Sequence, residues 1–449
     1  MIINFSIENF KVFKDRVTLS FLPSSMPDLE KYYVVPPIPE YPKLKLLKLA
    51  IVYGPNASGK TTIIDALSFI KDLINFPFNN KDQKFIELKP FLGDEISAMN
   101  STKFEIEFVN GNVRFSYFIE LNKNAIISEI LKFKEITEGI SKQRYSTAFK
   151  RETDLERKLT RISFSPKLRL KQADKGSLEN NTLWNNTVLG GYHKTNVSVD
   201  ILEKATDWFK NKLMVLYPKF SMRTFITRAV DEGKINLEKM LKLLKKADFE
   251  IENVTIKEQE LDPRAQKFFK TIKEAIAKEV SKEVGDDFDE DFLATTDQLK
   301  EPFFEHRTLN TSFELPYSEE SAGTLKYYEL CGLLSIMMDQ SKVVAIDELE
   351  SSLHPDLIEH FIKTFLVNVE NSQLIATTHY RELLKNRDIL RYDAVWFTER
   401  KKGEGYAELF SLSDFNSSIL RRRISSIYNA YRIGKLGAVP KLDQELVIE

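Results

Sequence analysis

From its first residues the chain alternates apolar and polar positions. Ile2 to Phe21, around Phe10-Lys-Val-Phe13, reads as a β-hairpin or two short strands. Pro36, Pro37, Pro39 and Pro42 mark an irregular connection, since proline stays out of central strands. An apolar run from Leu46 to Tyr53 predicts a buried strand, and Thr62 to Ile70 has the spacing of a helix. Three further alternating runs, Phe104–Phe108, Val113–Leu121 and Ile126–Phe133, have Asn110-Gly111 between the first two, which predicts a β-meander opened by a hairpin turn.

From Ser198 to Val284 the period becomes helical. Ile201, Leu202, Ala205, Trp208, Phe209 and Leu213 form one apolar stripe; Leu237, Met240, Leu241 and Leu244 a second; Phe269, Ile272, Ile276 and Val280 a third. The heptads are not sustained, and Pro263 and the acidic group Asp286 to Asp291 interrupt them, so a compact helical lobe is expected rather than a coiled coil. The acidic group itself reads as a solvated loop. The last third returns to strand–helix alternation: a helix from Thr324 to Met338, a strand Val343–Ile346, a helix Pro355–Val367, and strands Gln373–Thr377 and Ala394–Phe397. That order implies a mostly parallel sheet. The expected organisation is therefore α/β in three parts: 1–140, an insert lobe of mixed basic and helical character over 141–300, and 301–449.

Composition changes this picture little. The chain has 449 residues, 42% hydrophobic and 29% charged, with a formal net charge of -1, so nothing in the overall charge drives it toward nucleic acid. Any basic surface must be local, and Lys142 to Lys175 is the candidate, with eleven Lys/Arg against four Asp/Glu. It reads either as solvated strand and loop faces or as a surface for phosphate backbones. The single cysteine, Cys331, excludes an internal disulfide framework and reads as a buried core residue. No apolar run is long enough for a membrane span, and a charged residue falls where a signal peptide would be apolar; a cytoplasmic protein is expected.

The candidate chemistry begins at Gly54-x4-Gly59-Lys60-Thr61, set between the buried strand and the helix. This is the pattern of a P-loop: backbone N–H groups curl around a triphosphate, Lys60 reaches its β/γ-phosphates and the Thr61 hydroxyl sits on Mg²⁺. Gly54, Asn56, Ser58, Gly59, Lys60, Thr61 and Thr62 are the expected nucleotide contacts. Val343-Val-Ala-Ile ends in Asp347-Glu348, where a P-loop protein carries Walker B. Asp347 would hold Mg²⁺, and Glu348 could polarise the attacking water. The strand from Gln373 ends in His379 at the carboxyl edge of the sheet, where ligands of open α/β sheets bind. Ser321-Ala-Gly323-Thr324 opens a helix and reads alone as a cap, or as an anion site. Because Lys60 and Asp347 must share one nucleotide, the middle of the chain between them has to leave this domain and return.

Taken in order, P-loop, long insert, Ser-x-Gly turn, strand–Asp–Glu, Ser351-Ser352-Leu353-His354 and strand–His resemble the ABC-type ATPases of the SMC, RecF and OLD branch. The resemblance covers roughly residues 1–135 and 300–440. It implies an ABC-type ATPase head, with a mixed sheet, an N-terminal β-meander and a helical insert lobe. It also implies that Ser321 and Gly323 are the signature motif, Ser351 to His354 the D-loop and His379 the switch histidine. ATP and Mg²⁺ are the implied cofactors, and a head-to-head ATP-dependent dimer or higher oligomer the implied assembly. Glu-Ser-Ala-Gly-Thr, Ile-Asp-Glu-Leu-Glu-Ser-Ser-Leu-His-Pro and Ala-Thr-Thr-His look closest to the stand-alone prokaryotic AAA-family ATP-binding proteins. Relatives such as the AriA-like proteins of the PARIS system partner a toxin or a Toprim-type nuclease in anti-phage defence. A RecF-like DNA-binding ATPase is the alternative. An intrinsic nuclease lacks clustered acidic ligands after His379, and a transporter ATPase would need a Q-loop, for which Gln83 is the one candidate.

Overall fold

The computed structural model describes residues 1–136, 144–219, 221–247, 250–260, 298–415 and 427–439. It is a mixed α/β protein of two compact units. One comprises Met1–Pro218, Ser341–Glu350 and Leu366–Glu449; the other comprises Lys219–Gln340 and Ser351–Phe365. The division thus differs from the boundaries expected at 140 and 300.

The first unit holds two large sheets. Seven antiparallel strands run in the order Leu159–Phe164, Ser146–Asp154, Ile126–Glu135, Val113–Leu121, Thr102–Asn110, Ile2–Glu8, Val17–Ser20. The meander read from the sequence is its centre, and the basic stretch after 140 extends it by two strands. Alternation explains the pairing: Phe104, Ile106 and Phe108 face the core with Phe5 and Ile7, while the residues between are half-exposed. Behind Phe108 lies an aromatic cluster, with Trp208 stacked on it at 4.3 Å between ring centroids and Phe209 edge-on at 5.4 Å. The second sheet runs Leu213–Leu216, Val343–Ile346, Gln373–Thr377, Leu49–Tyr53, Val395–Arg400, Ala407–Ser411, parallel except for the last pair. Its central strands are buried at every position, as strands covered on both faces must be. Gln373 ties the sheets together: its fully buried amide accepts the Ile2 N–H at 2.5 Å and donates to the carbonyls of Ile2 and Leu47.

The stripe from Ile201 to Leu213 is helical only as far as Asp207. Trp208–Lys212 widens into a π-turn, and Leu213 opens an edge strand of the second sheet. The π-turn keeps Trp208 and Phe209 on the apolar side, so the residue spacing still looks helical.

The second unit contains the helices Arg223–Asp231 and Leu237–Lys245, the helix Ala322–Asp339, and the antiparallel sheet Ile251–Glu260, Gln298–Arg307, Ser312–Pro316. The expected insert lobe is therefore not purely helical. Its third stripe (Phe269 to Val280), Pro263 and the acidic group Asp286 to Asp291 lie outside the described residues. Among the described residues no helix is long and apolar enough to cross a membrane.

Candidate functional site

Three neighbouring parallel strands, Val343–Ile346, Gln373–Thr377 and Leu49–Tyr53, end at the same edge of the six-stranded sheet. Their continuations carry Asp347-Glu348, His379 and the P-loop, so residues far apart in sequence converge by topology. The P-loop leaves its strand at Gly54, where no side chain fits. A β-carbon there would stand 2.4 Å from the Thr398 hydroxyl and 2.5 Å from the Thr398 carbonyl oxygen. Gly59 closes the loop with φ +112°, a conformation L-residues rarely adopt, directly ahead of the helix Lys60–Asn75. Between them Asn56 is exposed, while the buried Ser58 hydroxyl donates to the Pro55 carbonyl at 2.8 Å and meets the Thr398 hydroxyl at 2.6 Å.

Lys60 is buried, and its ammonium donates to the carbonyls of Gly54 (2.9 Å) and Pro55 (3.0 Å). Desolvation holds its pKa below the ordinary lysine value, partly offset by Asp347, Glu350 and Glu348. Thr61 is exposed, and its hydroxyl lies 3.0 and 3.2 Å from the two carboxylate oxygens of the buried Asp347. Thr62, one residue on, is buried in the helix. Thr61 and Asp347 are hard oxygen donors side by side, and they fit Mg²⁺, which binds to one or two carboxylates together with phosphates.

Glu348 is exposed beside Asp347 and has a left-handed backbone, φ +49°. That conformation costs a non-glycine residue about 1 kcal/mol and persists where surrounding contacts impose it. The contact here is Thr377, whose hydroxyl accepts the Glu348 N–H at 2.8 Å and donates to Asp347 at 2.6 Å. His379 is exposed two residues past the end of the same strand; its backbone N–H donates to Glu350 at 2.5 Å. Partial desolvation and then Lys60 hold the imidazolium below its ordinary pKa, against the opposing pull of Glu350, Glu348 and Asp347.

Ser321 and Gly323 belong to the second unit. Ser321 is the N-cap of the helix Ala322–Asp339, its hydroxyl accepting the Thr324 N–H at 3.1 Å. Gly323 lies against Ser352, whose carbonyl oxygen would be 3.3 Å from an added β-carbon, so the Ser-x-Gly turn and the segment Ser351 to His354 meet. Gln83 does not reach the P-loop site: its side chain accepts the N–H groups of Asn79 and Asn80 in its own turn. The basic segment is occupied locally only in part, and Arg161, Arg169 and Lys171 are exposed. Lys150 pairs with Glu152 and Arg157 with Asp154, Lys158 lies over the Trp184 ring, and Arg151 is fully buried. A cavity of about 470 Å³ in the first unit, bordered by Ser24, Met26, Lys43 and Arg391, includes none of the predicted site residues.

Three contributors carry no assignment from sequence. Glu350 and Thr377 lie inside recognised motifs but have no separate signal. Thr398 is a buried strand threonine that only the approach of Gly54 reveals.

The profile of the family described as AAA domain, putative AbiEii toxin, Type IV TA system matches residues 49–384, well over half of the chain. The chain belongs to that family. It is accordingly an AAA-type protein with a P-loop nucleotide-binding domain. None of the curated proteins compared with the chain matches it. Among solved structures it is similar to the SMC head domain from Thermotoga maritima, at 12% identity and TM-score 0.39, covering 91% of this chain and 98% of that one. The SmcHead bound to the C-winged helix domain of ScpA is similar at 12% identity and TM-score 0.42, covering 91% and 97%. An Smc head with an extended coiled coil, bound to the C-terminal domain of ScpA derived from Pyrococcus furiosus, reaches 12% identity and TM-score 0.37, covering 97% and 98%.

Proposed function

We propose that this AAA-family protein binds and hydrolyses ATP, that bound nucleotide drives head-to-head association of two copies, and that the switch controls a partner effector, a toxin or nuclease, in anti-phage defence. The observation that carries the reading is the Thr61–Asp347 contact at the sheet edge that also presents Lys60, Glu348 and His379. The family's type IV toxin–antitoxin description supports the defence setting.

In this reading Lys60 gives up its two loop carbonyls for the β/γ-phosphates. Thr61 and Asp347 hold Mg²⁺, which offsets phosphate charge when bound. Glu348, exposed beside that pair, orients the attacking water, and His379 hydrogen-bonds the γ-phosphate. Ser321 and Gly323 serve the nucleotide of the second copy, a helix N-terminus with a hydroxyl being suited to an anion. The basic segment is engaged locally only in part, with Arg161, Arg169 and Lys171 exposed, so a DNA-binding ATPase is the alternative reading, and salt-dependent binding to duplex DNA tests it.

Equilibrium binding of a fluorescent ATP analogue tests the reading. The wild-type chain binds it, and Lys60→Ala loses binding while keeping the wild-type circular-dichroism spectrum. Equal affinity in the two proteins contradicts it.

A further inference from the structure

We infer that Thr377 is a positioning residue that sets both carboxylates of the proposed ATPase site, an inference that rests on the reading above. Thr377 is fully buried at the end of the strand lying between the Asp347 strand and the P-loop strand, paired with Val52. The turn Asp347-Glu348-Leu349 hangs on it by three hydrogen bonds. Its hydroxyl donates to Asp347 Oδ1 at 2.6 Å, the Glu348 N–H donates to that same hydroxyl at 2.8 Å, and the Leu349 N–H donates to the Thr377 carbonyl at 3.0 Å.

A hydroxyl has one proton to give, and here it goes to Asp347 Oδ1. Oδ2 is then the oxygen nearer the Thr61 hydroxyl, at 3.0 Å against 3.2 Å for Oδ1. The Thr377 proton thereby occupies Oδ1 and leaves Oδ2 as the oxygen without that bond, open toward Mg²⁺. The lone pair of the same oxygen holds the Glu348 N–H, and with it the left-handed backbone of this exposed residue. One atom thus couples the proposed metal ligand to the proposed base. Valine in its place keeps the shape and the Leu349 bond but removes both hydroxyl bonds, leaving the Asp347 carboxylate held, among the described residues, by Thr61 alone and the Glu348 N–H without its acceptor.

The test uses the full chain, a fluorescent ATP analogue and Mg²⁺ titrated against EDTA, with hydrolysis measured in parallel. Thr377→Val should bind nucleotide in EDTA as the wild type does. Its half-saturating Mg²⁺ should rise, and its turnover fall, by about 10–100-fold, the range seen when a group orienting a metal ligand is removed. Thr377→Ser restores both. A purely structural threonine would leave the Mg²⁺ dependence alone, so Thr377→Val with the wild-type Mg²⁺ profile overturns the inference, as does Thr377→Ser behaving like Val. If Thr377→Val lacks a wild-type melting transition, Thr377→Cys, a weaker donor of similar shape, takes its place with the same expectations. Wild-type chain that binds no nucleotide overturns the ATPase reading and this inference with it.

Discussion

Replacing Glu129 by Gln should flatten the pH dependence of folding of the first unit. Glu129 is fully buried in the strand Ile126–Glu135, where Tyr117 Oη donates to it at 2.9 Å and the Val188 N–H at 2.8 Å. Burial outweighs these bonds and the attraction of Arg151, and pushes the carboxyl up from 4.5 to about 7. Arg151, equally buried, is driven down to about 10 for the same reason. A folded-state pKa raised in this way stabilises fully below the unfolded value of 4.5 and is lost as pH rises through about 7. Between pH 5 and 8 the difference is about 2.5 kcal/mol, because holding one extra proton in the folded state is worth roughly 1.4 kcal/mol for each pH unit. The effect reaches the site's scaffold: Val188 opens a short helix whose Gly190 lies against Ile74 of the P-loop helix. All three tryptophans, Trp184, Trp208 and Trp396, lie in the first unit, so urea unfolding followed by their fluorescence reports on it. Wild type should lose about 2.5 kcal/mol more than Glu129→Gln between pH 5 and 8. Identical pH slopes would refute the argument, because every other titrating group is common to the two proteins.

Gly54→Ala forces a β-carbon into the Thr398 main chain. Nucleotide affinity should fall by more than about tenfold, with circular dichroism unchanged, since the loop and not the core must move; unchanged affinity would show that the loop can rearrange freely. Ser321→Ala removes the N-cap bond to Thr324, a loss of about 1 kcal/mol. On the proposed reading it also removes a hydrogen bond to the second copy's phosphates and weakens ATP-dependent association roughly tenfold, leaving binding to a single copy intact. Analytical ultracentrifugation with and without ATP separates the two effects.

Much of this architecture is legible in the hydrophobic pattern because period-2 strands and fully buried parallel strands leave strong signatures. The meander, the strands before Gly54 and Asp347, and the strand Gln373–Thr377 that leads to His379 all lie where alternation or apolar runs put them. The misses have local causes. Ile251–Glu260 carries a register shift between Ile251 and Asn253, which breaks its alternation. Gln298–Arg307 contains Pro302, which argues against a strand, but its pairing with Ser312–Pro316 begins only at Phe303, so on that side Pro302 faces no ladder. Leu213 reads as helical because the π-turn before it preserves the apolar face. In the site, Lys60, Thr61 and Asp347 can be read from motif and spacing. Thr377 and Thr398 cannot, since each acts through a hydroxyl whose partner is set by sheet order.

The central claim is that nucleotide gates association, and sedimentation velocity of Glu348→Gln tests it most directly. With ATP and Mg²⁺ this variant should turn over slowly and accumulate as a dimer, and without nucleotide it should sediment as a monomer. A Glu348→Gln protein with wild-type turnover, or one whose sedimentation is indifferent to ATP, would contradict the account.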